Sequence, residues 1–331
     1  MKPTFTQAAD FRQQRDFSQK IGSTFEFLGA HWRPLGKCLL YFVLPLSLIL
    51  GVGLGLLTNT IWNVAGQAQT NPGVLKSGAA LGASYFSGFG LAMLGGVLAF
   101  LMAVSTVHSY VRLLLTTEPA VAPTPAEVWV EIRSRLGRLL LACLLLFGVY
   151  AGIMLVVGLV VGGSMAAGGG PFVFLLVLIL MPLLLYLLVP LTLYFPVLWL
   201  EDEGLFAALR RCYYLVKGKW WATFGLFVIA GMIQGMMSFI FVLPQYAVLF
   251  GKMLHIPGLD SDLTGMVAQT LYASGTMLLY PVSLLAMIFQ YFNLVERKEG
   301  LGLLSRIANL GSGLAPAVEN ATFRPDDEGN Y

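Results

Sequence analysis

Residues 202–243 read DEGLFAALRRCYYLVKGKWWATFGLFVIAGMIQGMMSFIFVL. Three textures follow one another in this stretch: an acidic turn, a short amphipathic segment rich in Arg and Tyr, and an apolar run. No charged residue lies between Lys219 and Lys252. A run of this kind exceeds the roughly 20 residues needed to cross a hydrocarbon core of about 30 Å. It therefore predicts a membrane span at 222–243, with the basic segment held at the boundary before it.

The same texture recurs along the chain. Apolar runs near 39–58, 88–110, 139–162, 172–195 and 267–292 complete a set of six spans. Hydrophobic residues make up 57% of the 331 and charged residues 11%, against roughly 25% charged in soluble domains. An all-α polytopic membrane protein is the class this composition predicts. The first 37 residues carry Asp10, Asp16 and Glu26, unlike the short basic region of a cleaved signal peptide, so the first span is expected to stay as an anchor.

Charge sets the orientation. Eighteen of the 20 Lys and Arg residues fall in the segments before spans one, three and five and after span six, and only Lys76 and Lys252 fall on the other side. By the positive-inside tendency both termini are expected in the cytoplasm. Nucleic acid is not an expected partner, because these charges are explained by topology.

Three amphipathic segments precede the odd spans. In the first, Asp16 reads as an N-cap, with Phe17, Ile21, Phe25, Leu28 and Trp32 on one face and Gln19, Lys20 and Glu26 on the other. In the second, Thr124, Pro125 and Glu127 form a capping-box start, followed by Trp129, Ile132 and Leu136. In the third, Asp202 reads as the cap, and Leu205, Leu209, Tyr213 and Val216 line one face. Gly36, Gly137 and Gly218, each beside a basic residue, sit just before the odd spans. The even spans each end in a tyrosine followed by an acidic exit.

The unit helix, span, outer loop, span thus predicts three parallel pseudo-repeats at about 16–118, 124–201 and 202–299 within a membrane domain of 16–310. A cytoplasmic segment, 1–15, precedes it. A shorter apolar line at Leu303, Ile307 and Leu310 suggests the start of a fourth copy, and the polar, acidic tail 311–331 is expected to be disordered in the cytoplasm.

Such helices are expected to lie in the cytoplasmic interface, aromatic rings at headgroup depth and cations toward anionic lipid, or to brace the span ends; the two roles are compatible. The candidate lipid-interface residues are Phe17, Phe25, Trp32, Lys37, Trp129, Arg138, Arg210, Tyr213, Lys217, Lys219 and Trp220. Gly51 and Gly55, Gly158 and Gly162, and Gly231 and Gly235 carry the Gly-x-x-x-Gly spacing in the three odd spans, which predicts close helix contact within or between protomers. Pro182, Pro190 and Pro196 predict a bent or broken fourth span. Gln234 and Gln290 are the candidate intramembrane polar residues, either bonding between helices or lining a neutral path.

Chemistry is sparse. His31, His108 and His255 are widely separated, and His255 with Asp260 and Asp262 reads as a turn-rich loop. Phosphate-loop and nucleophile-elbow patterns are absent from the sequence. Cys38, Cys143 and Cys212 predict no disulfide, and no cofactor or metal is expected.

The stretches 16–27, 215–221 and 292–297 resemble a family of uncharacterised six-span bacterial membrane proteins, known best from Bacteroidetes-like genomes. That family is similar to the membrane domain fused to some glycerophosphodiester phosphodiesterases. The resemblance implies architecture and a bacterial inner-membrane location without the phosphodiesterase reaction. Together these readings predict a non-catalytic protein that organises membrane lipids, other membrane proteins or copies of itself. The alternative is a transporter or channel for a neutral or lipid-like solute.

Overall fold

The structure, a computed structural model, describes residues 5, 8–71, 82–116, 122–166, 168–254, 256–259, 261–300, 302 and 304. The regular elements among them are all helical. A single turn, α1 (Ala8–Phe11), leads into α2 (Phe17–Phe42), which starts at Asp16, whose backbone N–H donates to the Gln19 side chain at 2.9 Å. The chain bends at Val43, because Pro45 can occupy the first turn of a new helix but cannot continue the old one, and α3 (Leu44–Thr70) begins. Then follow α4 (Ala83–Thr116) and α5 (Pro125–Ala166), the latter opened by the reciprocal Thr124 and Glu127 bonds at 2.9 and 3.4 Å.

The fourth span is broken, as its prolines require. It runs as α6 (Gly170–Leu188), a 3₁₀ stretch at Val189–Leu193, and α7 (Tyr194–Leu200). Helix α8 (Leu205–Val216) then stops at Gly218, which takes φ +84°, a conformation that only glycine adopts without strain, and α9 (Trp220–Leu254) departs. The last span is two helices, α10 (Asp262–Leu279) and α11 (Pro281–Glu299), joined at Tyr280. Among the described residues six helical stretches are long and apolar enough to cross a membrane: Leu44–Ala68, Ala83–Thr116, Pro125–Ala166, Val173–Leu200, Trp220–Leu254 and Asp262–Glu299. The chain is a multi-pass membrane protein.

Two local expectations are corrected. Asp202 does not cap α8: Gly204 holds that position, and Asp202 turns away at φ +55° to meet arginines. The second amphipathic segment is not separate from its span, since Gly137 lies within α5 and nothing there breaks the helix. At about 1.5 Å per residue, its 42 residues run roughly 60 Å, about twice a bilayer core.

Packing is uneven. Helices α3, α4 and α10 form the tight group, where a Cβ on Gly51 would overlap the Thr270 backbone, one on Gly55 would lie 2.9 Å from Met266 Cα, and one on Gly95 would overlap the Leu50 backbone. The principal core gathers at the basic end, where Phe11, Phe27, Tyr110, Tyr194, Leu215 and Phe289 are buried. The α5 and α6 hairpin is different: beyond Ala142 it is mostly exposed, and nothing lies within 4 Å of a Cβ built on Gly158 or Gly162. Gly231 and Gly235 on α9 are equally open. The acidic exit at Glu118, the predicted fourth-copy start and the tail 311–331 lie outside the described residues, as do Lys76, His255 and Asp260.

Candidate functional site at the basic end

The Lys and Arg residues of the basic end divide into paired and unpaired sets. Successive carboxylates, Glu201 and Asp202, tie the paired set together. Asp202 accepts from Arg112 of α4 at 2.7 Å and from Arg135 and Arg138 of α5 at 2.5 and 3.3 Å. Arg112 also donates to the Trp199 carbonyl at 2.6 Å, and Glu131 receives both Arg112 and Arg135. Burial alone would raise the Asp202 carboxyl, but hydrogen bonds from Arg112 and Arg135 hold it down at about 2. Glu201 points to the other side, where Arg211 of α8 meets it at 2.8 Å and also reaches Glu299 at 2.5 Å. The Tyr291 hydroxyl donates to Glu201 at 2.9 Å. Two adjacent residues thereby clasp α4 and α5 on one side and α8 and α11 on the other.

Helix α2 contributes a second arrangement. Its buried face is Lys20, Thr24, Phe27, His31, Leu35 and Cys38. Lys20, 4% exposed, donates to Gln290 Oε1 at 2.7 Å, and Gln290 Nε2 donates to Thr223 Oγ1 at 2.8 Å. Sequence periodicity places Lys20 on the outer face, and the structure reverses it. Burial is the main cause that lowers the Lys20 ammonium to about 8; Arg297 and Lys219 add repulsion, and Asp16 opposes them. His31 bonds the Tyr110 hydroxyl at 2.9 Å and stacks on Phe27, while its burial lowers its pKa. Gln234, farther along α9, accepts from Ser283 at 2.5 Å. Both candidate glutamines therefore join α9 to the last span.

The outward face of α2 carries Phe17, Phe25 and Trp32, the last 62% exposed, with Arg33 stacked over the Trp32 ring at 5.3 Å. Trp129 of α5 is exposed and stacks on Phe42. Lys37, Arg210, Lys217 and Lys219 are exposed and form no ion pair among the described residues, whereas Arg138 is drawn into the Asp202 cluster. Tyr213 and Trp220 also mend the broken span. The Tyr213 hydroxyl donates to the Leu187 carbonyl at 2.6 Å and the Trp220 indole N–H to the Tyr186 carbonyl at 3.3 Å. Pro190 has no N–H to give the carbonyl four residues before it, and that carbonyl is Tyr186.

The three cysteines are free thiols, with burial pushing Cys38 up to about 11. Among the described residues no group of three or more His, Cys, Asp or Glu side chains could hold a metal ion.

Sequence reasoning missed the Glu201 and Asp202 clasp, although the arginines that it binds stand out as boundary charges. Comparison finds no match among curated proteins and none among solved structures. Residues 111–295 match a family described as a domain of unknown function, DUF7847, a stretch that includes Arg112, Glu131, Arg135, Glu201, Asp202, Arg211 and Tyr291. Because the match spans more than half of the chain, the protein belongs to the DUF7847 family.

Proposed function

We propose that this protein organises lipids or partner proteins at the cytoplasmic face of a bacterial inner membrane and performs no catalysis. The observation that carries this reading is the two-faced α2 helix. One face is buried on the bundle, and the other presents Phe17, Phe25 and Trp32 beside Arg33 and Lys37. Aromatic rings at headgroup depth and unpaired cations suit an anionic leaflet, where each Lys or Arg near the surface contributes about 1 kcal/mol. The start of α5 and the α8 helix supply the other two interfacial segments of a threefold pseudo-repeat, with both termini cytoplasmic. The resemblance to membrane domains fused to glycerophosphodiester phosphodiesterases fits a lipid-facing role.

Neutral-solute transport draws less support. Gln234 and Gln290 already bond to Ser283, Thr223 and Lys20, and the Phe241 ring fills the space beside Gly275.

The test is native mass spectrometry of the full chain purified with its lipids. Replacing Phe17, Phe25 and Trp32 together by Ser should reduce retained anionic lipid or a co-purifying membrane protein. Unchanged recovery of both would end the proposal. A liposome flux of a neutral solute that is abolished by Gln234→Leu would favour transport instead.

A further inference from the structure

The end of the bundle opposite the charged collar contains a cavity of about 380 Å³ where α3, α9 and α10 meet. Its size falls within the range of small-ligand sites. Amides from Asn59, Gln245 and Gln269 line it together with the rings of Trp62, Tyr246 and Tyr272.

We propose that this pocket binds a neutral, polyhydroxylated group, the chemistry shared by a free sugar and a glycolipid headgroup. Charge balance selects neutrality. Lys252, the only described cation in the lining, is held by Asn59 Oδ1 at 3.0 Å and by Asp262 at 3.1 Å, so its charge is already matched. An ammonium has three donors, and one remains for a ligand oxygen. Asn59 is locked in turn, its Nδ2 donating to the Asp262 carbonyl at 2.8 Å.

Gln269 supplies the second, independent observation. It is 7% exposed, lines the pocket, and its Oε1 has no hydrogen-bond partner. Buried polar atoms are normally satisfied, and each exception calls for an explanation. A terminal amide torsion is broad and roughly two-fold, so rotation about it lets this oxygen meet a hydroxyl in the pocket. Hydroxyls both donate and accept, which suits a lining that offers an amide acceptor, a lysine donor and amphoteric tyrosines. The aromatic rings give the C–H face of a sugar ring an apolar surface.

The experiment uses the full chain in phosphatidylcholine nanodiscs with two probes. Glucose is tested by saturation-transfer NMR, and a monoglucosyl diacylglycerol by native mass spectrometry. Wild type should bind at least one, and the one bound identifies the source. Gln269→Leu should weaken that binding about tenfold, the loss of one hydrogen bond. Trp62→Ala at the rim should weaken it too, while Leu155→Ala, on the exposed part of α5 and outside the pocket, should leave it unchanged. Binding of neither probe by wild type overturns the proposal. So does binding insensitive to Trp62→Ala, a variant that keeps the test valid if Gln269→Leu fails to fold. Retention of phosphatidylglycerol in place of the glucosyl lipid, abolished by Gln269→Leu, overturns it as well, because the selected group is then anionic.

Discussion

At the scale of single residues, Lys20 shows how a helix with two plausible faces resolves. Phe17, Ile21, Phe25, Leu28 and Trp32 form the more apolar stripe, yet Lys20, Thr24, Phe27 and His31 form the buried one. Both stripes have helical period, and periodicity alone cannot say which one packs on the bundle. Burying an ammonium is costly even with Gln290 as partner. Its ordinary value of 10.5 falls to about 8 in the fold. Below about 8 both folded and unfolded chains hold the proton, and the folded state bears the whole penalty. Between about 8 and 10.5 only the unfolded chain holds it, so stability rises with pH across that window. The gain is at most about 3 kcal/mol, reduced by the nearby aqueous boundary. Between pH 7 and 9, below the range where the raised Cys38 thiol begins to act in the opposite direction, the wild-type melting temperature should rise relative to that of Lys20→Met. An equal slope in the variant would show that the window belongs to other groups.

The elements show which sequence signals translate directly. The Thr124 capping box and the glycine mark at Gly218 were legible because each rests on local backbone chemistry. The broken fourth span was legible from its prolines, but its repair was not, since Trp220 lies 30 residues beyond Pro190 and only the fold brings its indole to the Tyr186 carbonyl. Trp220→Phe should cost about 1 kcal/mol by stranding that carbonyl. In a Pro190→Ala background, where the helical N–H returns, the same change should cost little. Equal losses in both backgrounds, measured by unfolding in detergent, would mean that the indole acts by packing alone.

The glycine pairs make a parallel case, because one spacing meets a packed neighbour at Gly51 and Gly55 and open space at the other two pairs. Gly51→Ala drives a methyl group into the Thr270 backbone and should cost about 1–3 kcal/mol. Gly158→Ala meets open space and should stay within about 0.5 kcal/mol. The spacing states that close approach is allowed, and the neighbour decides whether it happens.

For the whole molecule, hydropathy located six spans but could not rank their burial, since lipid is as apolar as a leucine side chain and gives no hydrophobic drive to hide it. That is why the most hydropathic spans, 125–166 and 173–200, are the least buried in their apolar windows, at 6% and 11%, while 262–299 reaches 72%. The last span carries the polar side chains that fasten it: Ser283, Gln290, Tyr291 and Asn293 all bond to other elements. The α5 helix tests this division within one element. Leu139 is fully buried with Leu101, Val104 and Trp199, and Leu139→Ala should cost about 2–5 kcal/mol. Leu155, on the same helix, is 65% exposed, so Leu155→Ala should leave the unfolding midpoint of the purified chain nearly unchanged. If the two losses were instead comparable, and the Leu155 variant also shifted the mass of the particle in native spectrometry, the α5 and α6 hairpin would be covered by a second copy and not by lipid.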